Sequence, residues 1–111
     1  MTRKEALAEL IAKVEAGVRP AQDGSCYKLF GDAWVHVYDI HHNGSLDAAK
    51  ALREAVLTPD FVMSSDSTGY AHLYRDEHEC THTWDALLPG QQARAELLAI
   101  LRAIHAMEPS E

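Results

Sequence analysis

The feature that most narrows what this chain can fold into is a repeated change of hydrophobic period. Leu7, Leu10, Ile11 and Val14 recur at the i, i+3, i+4, i+7 spacing of one helical stripe, as do Leu46, Ala49, Leu52, Val56 and Leu57, and again Ala93, Leu97, Ile100, Leu101 and Ile104. Between these stretches lie two of period two: Trp34, His36 and Tyr38 against Val35 and Val37, then Tyr70, His72 and Tyr74 against Ala71 and Leu73. The order predicted is helix, two strands, helix, two strands, helix, with hairpin-length links between paired strands. That is an α+β chain with a largely antiparallel sheet, because a doubly wound parallel sheet needs a helix after every strand.

Local signals place the boundaries. Thr2-Arg3-Lys4-Glu5 has capping-box spacing and Gly17 with Pro20 supplies a stop, so the first helix is predicted over 3–16. Cys26 to Phe30 and Trp34 to Ile40, separated by Gly31-Asp32, read as a first hairpin. Ser45 caps a second helix that must end before Thr58-Pro59. Phe61 to Ser65 and Tyr70 to Arg75 form a second hairpin about the loop Asp66-Ser67-Thr68-Gly69. Residues 76–90 fit either a short strand or an acidic loop, and Gln91 to Met107 carries the strongest helical pattern. At 111 residues, one domain spanning 1–111 with one core is expected.

Charge restricts the partners. The net charge is −7, and while residues 1–22 carry four basic against three acidic side chains, residues 23–111 carry six against 14. A body of that sign repels phosphate backbones, so no nucleic-acid partner is expected, and a basic protein surface is the easier match. No apolar run reaches the 18 residues of a membrane span, so no membrane partner is expected. The start of the chain reads as a charged amphipathic helix with no apolar signal core, which with only Cys26 and Cys80 points to the cytoplasm and to reduced thiols.

Leu10 to Ala16, the helix start Ser45 to Leu52, the hairpin Phe61 to Tyr74 and the Ala/Leu-rich helix Ala93 to Ala103 resemble the phage "ABA sandwich" domain, a family of small phage and prophage proteins of unknown function. The resemblance implies a three-layer α/β/α sandwich, here with four strands and three helices, and a phage or prophage origin with the cytoplasm of a bacterial host as location. It carries no catalytic residue to any position. The acidic stretch His78 to Trp84 and the His41-His42 pair depart from the family's pattern.

Four groups of residues are candidates for function. If the two hairpins share one pleat, Trp34, His36, Tyr38, Tyr70, His72 and Tyr74 project from one face, and such amphipathic rings suit a partner- or ligand-binding surface when no helix covers them. His78, Cys80 and His82 alternate, so two of them on one strand face, about 6.6 Å apart at Cα, can share a zinc ion, with His41, His42 or Asp76 completing the set and Glu77 or Glu79 as base. The same alternation suits an edge strand. His41 to Ser45 leads into a helix N-terminus that favours an anion, yet no Lys or Arg accompanies it; Ser64, Ser65, Ser67 and Thr68 lack any nucleophile motif. Leu98, beside Ala95, Ala99, Ala103 and Ala106, suggests a homodimer contact through the last helix unless another segment covers it. The function expected is that of a small acidic accessory protein, without cofactor, that binds a host protein such as a defence component, or a small ligand. The alternative is a zinc-dependent hydrolase.

Overall fold

A computed structural model describes residues 2–17, 29–77 and 80–108. Among these residues four α-helices and a three-stranded antiparallel sheet can be bounded: α1 (Arg3–Ala16), α2 (Trp34–Asn43) after a 3₁₀ turn at Gly31–Ala33, α3 (Leu46–Val56), β1 (Phe61–Ser65), β2 (Tyr70–Glu77), β3 (Cys80–Leu87) and α4 (Gln92–Met107). The α+β class and the antiparallel sheet are as the sequence predicts, but the count of four strands and three helices is not.

The first predicted hairpin, together with the stretch 76–90, accounts for the difference. Trp34 to Ile40 is helical, Leu29 and Phe30 are helical too, and 26–28 lie outside the described residues. The alternation of aromatic and valine side chains hid a second pattern: Phe30, Ala33, Val37 and Ile40 follow i, i+3, i+7, i+10, and Phe30, Val37 and Ile40 are buried. Burial of that stripe outweighs the modest strand preference of Val, Tyr and Trp. Gly44, at φ 63°, ends the helix in the left-handed conformation just before the Ser45 cap.

Elsewhere the caps work as read. The Thr2 hydroxyl accepts from the Glu5 amide at 3.1 Å, and the Ser45 hydroxyl accepts from the Ala48 amide at 3.0 Å. The ambiguous stretch 76–90 resolves largely as strand: β3 pairs along the whole of β2, from Tyr70 opposite Leu87 to Glu77 opposite Cys80. β1 pairs with the other edge of β2, from Phe61 opposite Arg75 to Ser65 opposite Ala71.

The layer order also differs from a sandwich with a central sheet. Helix α4 packs on all three strands with one side and on α1, α2 and α3 with its others. The middle layer is therefore a helix, and the sheet lies on the outside. This explains the composition of α4, in which Ala93, Ala95, Ala99 and Ala103 allow close approach on several sides and Leu97, Leu98, Ile100 and Leu101 fill the core. Leu98 is only 1% exposed, so the dimer contact expected through it is occupied within the chain. Glu96, the one buried charged residue among those described, accepts from the Ser65 hydroxyl at 2.5 Å, and that hydroxyl accepts from Gln92 Nε2 at 2.9 Å. Arg102 ties three elements together, donating to the Asp85 carbonyl at 2.5 Å and to the Glu15 carboxylate at 3.0 Å.

Candidate functional site

The register sorts the strand residues into two faces. Phe61, Met63, Ser65, Ala71, Leu73, Trp84 and Ala86 point toward α4, while Val62, Ser64, Tyr70, His72, Tyr74, Asp76, Thr81, Thr83, Asp85 and Leu87 point away from it. Among the described residues no helix covers the second face: Tyr70 is 40% exposed and Leu87 60%, Val62 is exposed, and His72 and Tyr74 are half-buried.

Tyr70, His72 and Tyr74 form a ridge along the central strand, with the His72 and Tyr74 ring centroids 5.3 Å apart. Asp85, opposite His72 on β3, lies 2.5 Å from His72 Nδ1. Desolvation, and next the hydrogen bond to Asp85 and the charges of Asp85 and Asp66, hold the Tyr70 phenol above its usual range. Asp85 thus pairs with His72 and bears on the ionisation of the Tyr70 phenol. At the other end of the face Asp76 accepts from the Thr81 hydroxyl at 2.7 Å. Among the described residues no lysine or arginine belongs to this face, since Arg75 alternates to the other side, 5.0 Å from the Phe61 ring centroid and 3.8 Å from the Asp60 carboxylate. The face is aromatic, apolar at its margins, and anionic.

Half of the six predicted ring residues are here. Trp34, His36 and Tyr38 are not on the sheet, because their segment is α2. Trp34 and Tyr38 instead meet edge to face at 6.1 Å, and Tyr38 stacks on His42 at 4.0 Å, giving an i, i+4, i+8 stripe on that helix with Trp34 and Tyr38 exposed and His42 half-buried; His36 is half-buried outside it. Asp85 was missed by sequence reasoning, and its signal was only its register opposite His72, which requires knowing that 80–87 is a strand. Ser64, His72 and Asp85 share one row across the three strands, yet no hydrogen bond joins Ser64 to His72.

Only part of the metal candidate set lies among the described residues. His78 and Glu79 lie outside the described residues, as does the Glu77 side chain. Cys80 and His82 are exposed on β3, and His41 and His42 sit in the last turn of α2. Among the described residues no three His, Cys, Asp or Glu side chains gather as metal ligands. The anion expectation at His41 to Ser45 meets a filled cap, since Ser45 already takes the Ala48 amide. A cleft of about 390 Å³ lies nearby, lined by Gly44, Leu46, Ser67 and the start of α4 from Gly90 to Arg94. Its cation is committed, because Arg94 donates to the Val14 carbonyl at 2.8 Å and to Gln91.

No protein-family model, curated protein or solved structure matches the chain. No helix of the described residues is long and apolar enough to cross a membrane.

Proposed function

We propose that this is a phage- or prophage-encoded accessory protein that acts by binding a host protein through the uncovered sheet face carrying Tyr70, His72 and Tyr74. The observation that carries the reading is the face itself: rings with polar tips stand on the solvent side of a sheet whose opposite side already supplies the core. The negative charge of the chain and of this face favours a basic partner surface, both for encounter rate and for exclusion of nucleic acid. The phage origin rests on the resemblance of the helix starts and hairpin, and the step from origin to role is one of association.

The test compares the native chain with a Tyr70→Ser/Tyr74→Ser double variant as baits in host lysate. A stoichiometric partner held by the native chain and lost by the variant, at matched secondary structure and melting, supports the reading. A partner held equally by both, or none held by either, refutes it.

A further inference from the structure

The two carboxylates of the sheet face stand at a fixed separation along the ridge. Asp85 lies level with His72, and Asp76 lies four residues further along β2. At about 3.3 Å per residue and one strand spacing sideways, they are about 14 Å apart at Cα. The Tyr74 ring lies between those two levels, with Thr83 beside it. Asp85 pairs with the His72 ring and Asp76 accepts from the Thr81 hydroxyl, whereas an ionised carboxylate offers about four acceptor sites. Both are solvent-accessible, and among the described residues His72, paired with Asp85, is the one basic side chain of this face.

We infer that this face binds an extended segment of a partner protein bearing two arginines four residues apart, one guanidinium on Asp85 and the other on Asp76, with the residue midway between them seated on Tyr74. The inference rests on the proposed binding role of the sheet face and adds the chemistry of what it binds. An extended chain covers about 13 Å in four residues and points residues i, i+2 and i+4 to one side, which matches the spacing of Asp85, Tyr74 and Asp76. Guanidinium suits both ends because it pairs with a carboxylate through two parallel donors and also packs on ring faces, here His72 and Tyr70 at one end and Tyr74 toward the other.

The probe is the capped heptapeptide Gly-Arg-Thr-Val-Thr-Arg-Gly, titrated to millimolar concentration into isotope-labelled protein and followed by NMR. Its controls are the same composition as Gly-Arg-Val-Arg-Thr-Thr-Gly and a form with citrulline for both arginines. Expected are shifts confined to β2 and β3 on this face, and weaker binding of both controls. Asp85→Asn and Asp76→Asn, near-isosteric changes at exposed sites, should each weaken the first peptide by roughly fivefold, the upper range for an exposed ion pair. Equal affinity for the two spacings, indifference to both Asn variants, or no shift on the face overturns the inference. If the citrulline peptide binds as well as the arginine peptide, and only the Tyr70→Ser/Tyr74→Ser variant abolishes it, the carboxylate pair fails as anchor while the binding face stands.

Discussion

The turn between β1 and β2 positions Tyr70, and two glycines show how tightly it is held. Gly69 has φ +95° and Gly90 has φ +73°, so alanine at either must occupy a conformation that costs an L-residue about 1–2 kcal/mol. Their surroundings differ. Around Gly90 an added Cβ meets nothing within 4 Å, whereas at Gly69 it would lie 1.9 Å from the Leu88 carbonyl oxygen. That neighbour is backbone, so it can yield only by moving the 88–90 loop. The movement breaks the hydrogen bonds from Leu88 N to Gly69 O at 2.8 Å and from Gly90 N to Thr68 O at 3.0 Å, each worth about 0.5–1.5 kcal/mol. Gly90→Ala should therefore cost about 1–2 kcal/mol and Gly69→Ala about 2–5 kcal/mol, a large share of the usual 5–15 kcal/mol of a domain. Urea unfolding at unchanged slope measures both. Equal losses for the two variants would show that the hairpin turn is not docked on the loop before α4, and would remove the argument that this docking fixes the near end of the ridge.

Three further outcomes are expected. Leu98→Ala should destabilise by about 3–5 kcal/mol with no change of mass in light scattering, because Leu98 is core; a stable variant of altered mass would restore the helix as a dimer contact. Asp66 is held below the usual carboxylate range by the Thr68 hydroxyl and by the Thr68 and Tyr70 amides, despite some desolvation, so the stability it contributes is present at neutral pH. That contribution is lost as pH falls below about 4 through its folded pKa; Asp66→Asn should flatten the acid limb of stability against pH, and an unchanged limb would refute the assignment. The Tyr70 phenol should ionise later than the usual value near 10, so the stability it adds is complete below that value and lost as pH rises through the folded pKa; carbon-detected NMR of labelled tyrosines should show its midpoint lower in Asp85→Asn, and no change would separate Tyr70 from Asp85.

What was legible in the sequence was whatever local chemistry decides. Thr2, Gly17, Ser45 and Pro59 mark helix ends because each meets a backbone need within a few residues, and α1 begins and ends where they predict. The Asp66 to Gly69 turn is legible for the same reason. What failed was the assignment of Trp34 to Ile40, where five alternating residues satisfy period two while Phe30, Ala33, Val37 and Ile40 satisfy a helical period over a longer window. A short window of β-branched and aromatic residues cannot arbitrate, because the deciding term is burial against elements far away in sequence. The same limit applies to Leu98 and Glu96: one helix surrounded on several sides has no solvent stripe to read, so Leu98 looked exposed, and nothing near Glu96 announces its bond to Ser65, 31 residues away. Half of the candidate site followed the hairpin that was read correctly, and the other half followed the one that was not.

The composition of the outer sheet face is therefore not explained by the needs of the fold. With α4 in the middle layer, the inner sides of β1, β2 and β3 and the facing sides of α1, α2 and α3 have apolar contacts without any help from Tyr70, Tyr74, Val62 or Leu87. An antiparallel sheet with one wet face ordinarily alternates apolar with short polar or charged residues, and Ser64, Thr81 and Thr83 show this chain doing so on the same face. Where it departs, it departs together: three rings in consecutive outward positions of the central strand, flanked by Val62 on one neighbour and Leu87 on the other, with carboxylates and no lysine or arginine among them. Lysines on such a face would have guarded the sheet against unwanted association at little cost in stability. A surface that omits that protection, and leaves its rings unburied beside Asp85, is what the proposed binding of a cationic partner requires.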